Sequence, residues 1–276
     1  MYGIMDKVTR AFCSDASVRA WFRMDQAFAD LCAMDAGYDC QIPLARVDIF
    51  LDEDAGSYTF CELNTDGSAG MVVTDAVCQA VRMTPSFEEF ASDHPGFRQY
   101  DLCGSWIDAL FETYAEWELA HPRRTEDSAR SDDGARVDEG LYAPQSKIYP
   151  ASVAIIDYSE SIDLEDAAHF VDLMRRRGVV ARFADVRDLR IGEDESGARR
   201  LCDAAGPIDC VWRRAVTGEL WDKPCDGRSA LIEAAQEGLA CIVGGFRTWP
   251  CATKTVFAFL WSRAGQSLLS PRSEER

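Results

Sequence analysis

Between residues 153 and 243 short apolar runs alternate with amphipathic stretches, and no other feature constrains the fold as strongly. Residues 153–156, 179–184, 208–213 and 240–243 read as strands, and 163–177 and 228–238 read as helices. Strands separated by helical stretches are joined by crossovers, so this part is expected to form a parallel, Rossmann-like sheet. The turn after its first strand is Asp157-Tyr158-Ser159-Glu160, with two acids and no glycine. A dinucleotide pyrophosphate needs close backbone approach at that turn, and this one does not provide it.

The first half of the chain has a different rhythm. Residues 1–38 carry apolar side chains at three- and four-residue steps, as do 73–83 and 104–120, and all three read as helical. Residues 46–63 form two apolar runs around a polar turn at 52–57, the pattern of a hairpin. There Leu51 and Phe60 are expected to serve the core. Charged and small residues dominate 121–147, which is expected to be a linker or loop.

Composition narrows the function classes. The 276 residues carry 29 basic and 47 acidic side chains, a net charge of −18, which repels nucleic acid and anionic membrane. Small anions such as ATP stay compatible, because a local cationic pocket or a metal reverses the field. No apolar run reaches the length of a membrane span, and the N-terminus lacks the apolar core of a signal peptide. The eleven cysteines are scattered, without a C-x-x-C pair, and read as reduced thiols of a cytoplasmic protein.

The hairpin carries the most specific chemistry. Side chains two apart share a strand face, so Arg46 points with Asp48 and Glu62 points with Asn64. Two carboxylates and an amide oxygen are hard ligands of the kind Mg²⁺ takes when it also carries nucleotide phosphates. An arginine beside them offers a fixed fork to a transferring phosphoryl group. The following Asp66-Gly67-Ser68-Ala69-Gly70 supplies backbone N–H groups with little bulk. A surface hairpin with a polar edge would show the same residues without any such role.

This stretch, R-x-D followed by E-x-N and a glycine-containing loop, resembles the metal-binding hairpin of ATP-grasp ligases. The resemblance implies that Asp48, Glu62 and Asn64 hold Mg²⁺ on ATP and that Arg46 stabilises the transferred phosphate. In ordinary ATP-grasp enzymes the hairpin comes late in the chain. Here only 45 residues precede it, an order similar to the circularly permuted branch of glutathionylspermidine synthase and eukaryotic-type glutathione synthetase. "DCVWRRAV" resembles that branch's strand before a substrate-contacting arginine, which implies Arg213 or Arg214. "CATKTVFAFLW" resembles its lysine-bearing segment, which implies Lys254 on the ATP phosphates. Gly67 and Ser68 would border the acceptor carboxylate.

The expected fold is therefore α/β: an incomplete ATP-grasp portion with a Rossmann-like parallel-sheet domain. Its parts are the hairpin-bearing region at 1–120, a linker at 121–147, the parallel sheet at 148–250, and the start of a nucleotide-binding part at 251–276. The expected activity is that of the N-terminal part of an ATP-dependent, amide-forming carboxylate–amine ligase. Its expected partners are a small carboxylate, an amine and a complementary C-terminal half. Two alternatives use fewer of these features. One is a non-catalytic binding or assembly module; the other is a Rossmann-type transferase, which leaves the 46–64 set unexplained.

Overall fold

The computed structural model describes residues 1–121 and 148–269. The linker expected at 121–147 lies outside them except for His121, as do the last seven residues of the expected nucleotide-binding part. Along the chain the elements are α1 (Tyr2–Ser14), α2 (Ala16–Trp21), α3 (Gln26–Cys32), β1 (Arg46–Asp52), β2 (Ser57–Asn64), α4 (Met71–Arg82), α5 (Pro85–Asp93) and α6 (Leu102–Ala120). After the break come β3 (Ser152–Asp157), α7 (Leu164–Arg176), β4 (Val180–Asp185), β5 (Arg190–Glu193), β6 (Arg199–Asp203), β7 (Gly206–Pro207) and β8 (Cys210–Arg213). The chain continues through α8 (Thr217–Asp222), α9 (Asp226–Glu237), β9 (Cys241–Val243), α10 (Trp249–Ala252), α11 (Thr255–Trp261) and α12 (Arg263–Leu269).

The parallel sheet is present, in the order β4-β3-β8-β9 with every neighbouring pair parallel. Alternation along β3 explains why it is covered twice. Val153 and Ile155 join a core with Ile107, Leu110 and Phe111 of α6 and Phe170 of α7, while Ala154 and Ile156 join another with Leu220 of α8 and Leu231 of α9. Both faces are therefore buried, as parallel sheets require, and the strands read as continuous apolar runs. Trp212 fills the centre of the α6–α7 side, edge-on to Phe170 at 4.7 Å.

Three departures from the sequence reading have local causes. The helical region at 1–38 is broken into three helices, because the Asp15 and Asp25 carboxylates accept from Ser17 N and Ala27 N and start new ones. Between β4 and β8 the chain forms a small antiparallel sheet, β5-β6-β7, that hydropathy alone did not mark. Leu51 does not serve the core: it is 61% exposed, because the hairpin projects beyond the body and only its base, Val47 and Leu63, reaches the third core with Phe12, Phe22 and Phe259.

All eleven cysteines are free. Among the described residues no helix is long and apolar enough to cross a membrane.

One buried pair joins the hairpin region to the sheet. Asp66, just after β2, accepts from the guanidinium of Arg213 at the end of β8, from Thr217 N at 2.6 Å, and from the hydroxyls of Thr217 and Thr248 at 3.1 and 2.9 Å. Thr65 adds a bond from its hydroxyl to Thr248 O at 2.7 Å. Removing one partner of such a pair strands the other charge, so Asp66→Ala is expected to cost about 3 to 5 kcal/mol, read as a lower urea midpoint. A loss below about 1 kcal/mol, the size of a single neutral hydrogen bond, would contradict this role.

Candidate functional site: a charged ring on one face of the hairpin

The register sets Arg46 opposite Asn64 and Asp48 opposite Glu62, so all four side chains share one face. They touch one another. Arg46 Nε donates to Asp48 Oδ1 at 2.9 Å, and its Nη2 donates to Oδ2 at 3.3 Å. Nη1 reaches across to Ala69 O at 2.9 Å, tying the strand to the loop after β2. With the Asn64 amide turned to suit its neighbours, its nitrogen donates to Glu62 Oε1 at 3.2 Å and its oxygen accepts from Arg46 Nη2 at 3.1 Å.

A fifth residue completes the set from far along the chain. Lys254, at the start of α11, donates from Nζ to Glu62 Oε2 at 2.8 Å across a separation of 192 residues. The hairpin and the lysine-bearing segment thus meet in space. The hydrogen bond from Arg46 holds the Asp48 carboxyl below the usual carboxylate range, and the bond to Glu62 raises the Lys254 ammonium.

These charges are open to solvent: Arg46 is 47% exposed, Asp48 41%, Glu62 43% and Lys254 68%. Exposed pairs of this kind contribute about 0 to 1 kcal/mol, too little for stability to explain why four charges gather here. The two acids and two cations balance to zero.

The sequence suggests Asp48, Glu62 and Asn64 as metal ligands; in the structure Arg46 bonds Asp48 and Lys254 bonds Glu62. Asp48, Glu62 and Asn64 supply two carboxylates and one amide oxygen, and among the described residues no three His, Cys, Asp or Glu side chains come together to hold a metal. Such a short, all-oxygen set suits Mg²⁺, which keeps waters and binds through one or two carboxylates plus substrate phosphates.

The other residues singled out in the sequence hold the structure together. Gly67 has φ +69°, and a Cβ there would lie 2.4 Å from Arg214 O. The Ser68 hydroxyl donates to Asn64 O and is buried. Gly70, at φ +101°, leads into α4 with no side-chain cap, and a Cβ there would lie 3.3 Å from Arg46 Nη1.

Arg213 and Arg214 do not present themselves to a substrate, contrary to the sequence reading. Arg213 is 1% exposed and spends its donors on Asp66, Ala215 O, Gly244 O, Gly245 O and Thr248. Arg214 is buried against Asp166, with its guanidinium 5.7 Å from the Trp212 ring. β8 is covered on both faces, so Arg213 at its end and Arg214 just after it pair internally.

What sequence reasoning missed is the loop's partner. Strand order reverses between β3 and β8, and the carboxyl ends of strands at such a point are where α/β sheets ordinarily bind ligands. Here Asp66 and Gly67 pack onto the residues that follow β8. An acid between a strand and a glycine was the available signal, but nothing local marked its arginine, 147 residues away.

No family model matches this chain, and no curated protein matches it.

Asp157, at the carboxyl end of β3, has another environment. It is 6% exposed, Oδ1 accepts from Tyr158 N at 2.8 Å, and burial pushes its carboxyl up to about 6 against the partial offset of that bond and Arg214. Its neighbour Asp185 goes the other way, held low chiefly by Arg187. A carboxyl that holds its proton more tightly when folded stabilises the protein fully below its ordinary value of 3.8. That contribution is lost as pH rises through about 6. Each unit of such a shift is worth about 1.4 kcal/mol, so Asp157→Asn is expected to flatten the stability profile over this window and to stabilise the protein at neutral pH by about 2 to 3 kcal/mol. Urea titrations at a series of pH values check this, and an unchanged profile would contradict it.

Proposed function

We propose that this chain is the metal-binding portion of an ATP-dependent carboxylate–amine ligase of the circularly permuted ATP-grasp type, similar to glutathionylspermidine synthase. The observation that carries the reading is the contact of Lys254 with Glu62 on the face that also bears Arg46, Asp48 and Asn64. A chance surface hairpin has no reason to attract a lysine from the far end of the chain into an R-x-D, E-x-N set.

In this reading Asp48, Glu62 and Asn64 would hold Mg²⁺, which supplies charge neutralisation for phosphoryl transfer from ATP to a carboxylate. An amine would then attack the acyl carbon of the resulting acyl phosphate, forming an amide as inorganic phosphate leaves. Arg46 is already fixed by Asp48 and Ala69 O, so its guanidinium is oriented before any substrate arrives. Lys254 is free to exchange Glu62 for a nucleotide phosphate, because a 68% exposed ammonium pays little to move. The uncapped N-terminal turn of α4 beside Arg46 adds partial positive charge on the same side. Gly67 and Ser68 shape the loop, and the Ser68 hydroxyl is engaged by Asn64 O.

The second reading is a binding or assembly module that keeps the ring without turnover, and the exposure of all four charges favours it. One comparison separates the two, made on the natural polypeptide purified with whatever it associates with. Mg²⁺ with ATP should raise the melting temperature and support phosphate release, and Mg²⁺ alone should do neither. Glu62→Gln should lose both responses while its ligand-free melting temperature stays within about 2 °C of wild type, as for other exposed positions. Equal responses in the variant would remove the ligase assignment, and binding without phosphate release would favour the module.

A further inference from the structure

The hairpin has a second face, and it is apolar from end to end. Val47 and Leu63 face away from the charged ring and belong to the core around Phe12, Phe22, Val256 and Phe259. Past an irregularity between Asp48 and Ile49, which leaves Cys61 as the extra residue of β2, the register pairs Ile49 with Phe60 and Leu51 with Tyr58. These four continue the face of Val47 and Leu63. The strip therefore runs out of the core into solvent, where Ile49 is 46% exposed, Leu51 61% and Tyr58 59%. The Tyr58 and Phe60 rings meet edge to face at 5.4 Å, so the outer strip is already ordered without a cover.

The strands themselves are also unsupported. The β1–β2 sheet has two strands, and among the described residues neither outer edge pairs with another. Two-stranded ribbons are marginal in water, and natural proteins cover or blunt a long apolar edge. This one is blunted only at its tip, by Asp52, Glu53 and Asp54, all exposed.

We infer that the outer strip of Ile49, Leu51, Tyr58 and Phe60 is the seat of a second, different polypeptide unit, which lays an apolar face on it and sets basic residues against the acidic tip. Charge decides the kind of occupant. Residues 46–64 hold five acids, Asp48, Asp52, Glu53, Asp54 and Glu62, against one base, Arg46, within a chain of net charge −18. A second copy brings the same sign to the same place, and an anionic membrane does so too, whereas a basic rim complements it. The strip is continuous with an existing core, so the occupant extends that core. Seating it clamps the strands whose opposite face carries the charged ring. The inference stands on the strip and does not depend on the ligase reading.

The test uses the tagged chain expressed in its source cells. Leu51→Asp and Tyr58→Asp lie on exposed positions, and an unchanged melting temperature of each variant will show that the body is intact. The wild-type chain should sediment in an assembly larger than a monomer. A photo-reactive phenylalanine analogue at position 58 should cross-link it to one other polypeptide through a segment bearing Lys or Arg. Either aspartate variant should reduce the assembled fraction at least tenfold. A wild-type chain that sediments as a monomer or as a dimer of itself overturns the inference. So does an assembly that both variants leave intact, or cross-linking at position 58 only to lipid or to the chain's own copy. An assembly that forms through the strip but releases no phosphate from ATP would leave this inference standing and remove the ligase reading. A monomer that turns over ATP would do the reverse.

Discussion

The pairing of Asp66 with Arg213 is the constraint on which the rest of the arrangement depends. Burying a carboxylate and a guanidinium costs several kcal/mol for each ion, and the pair survives because both are saturated with hydrogen bonds. Asp66 takes Arg213, Thr217 and Thr248, and Arg213 spends its remaining donors on backbone carbonyls. The loop after β2 therefore has one position relative to the sheet. Gly67 follows from this, since its close approach to Arg214 O leaves no room for a side chain. So does the anchorage of Arg46, whose guanidinium bonds to Ala69 O in that loop. Disturbing the pair would not simply weaken the fold; it would release the hairpin that carries the charged ring.

The charged ring itself follows a different logic. Its members are half exposed, and their mutual attraction is too weak to hold them in place. Backbone geometry does that work: strand register places the four hairpin residues, and the α10–α11 region, packed through Cys251, Val256 and Phe259 into the third core, delivers Lys254. Rigid elements thus carry loosely bound side chains.

Much of this was legible in the sequence, for reasons that can be traced to particular residues. The parallel sheet was readable because strands buried on both faces are largely apolar, as 153–156 is throughout and 208–213 is apart from Asp209 and Arg213. The hairpin was readable because Arg46, Asp48, Glu62 and Asn64 sit at two-residue steps on either side of a polar turn. What could not be read were the long-range pairings. Arg213 and Arg214 look like free cations at a strand end. Only the fold reveals that Asp66 and Asp166 wait for them, from positions 147 and 48 residues away. Likewise Leu51 has the alternation of a core residue, and hydropathy cannot show that the body of the protein ends before reaching it.

The irregularity at Cys61 has a consequence for substitutions in the hairpin. By breaking strict pairing at one point, it separates an inner half, which bears Arg46, Asp48, Glu62 and Asn64, from an outer half, which bears Ile49, Leu51, Tyr58 and Phe60. A change of side chain beyond the bulge leaves the register of the inner four as it is, and a change at the base leaves the outer strip as it is. One extra residue in one strand makes two sets of side chains separable on a ribbon only two strands wide.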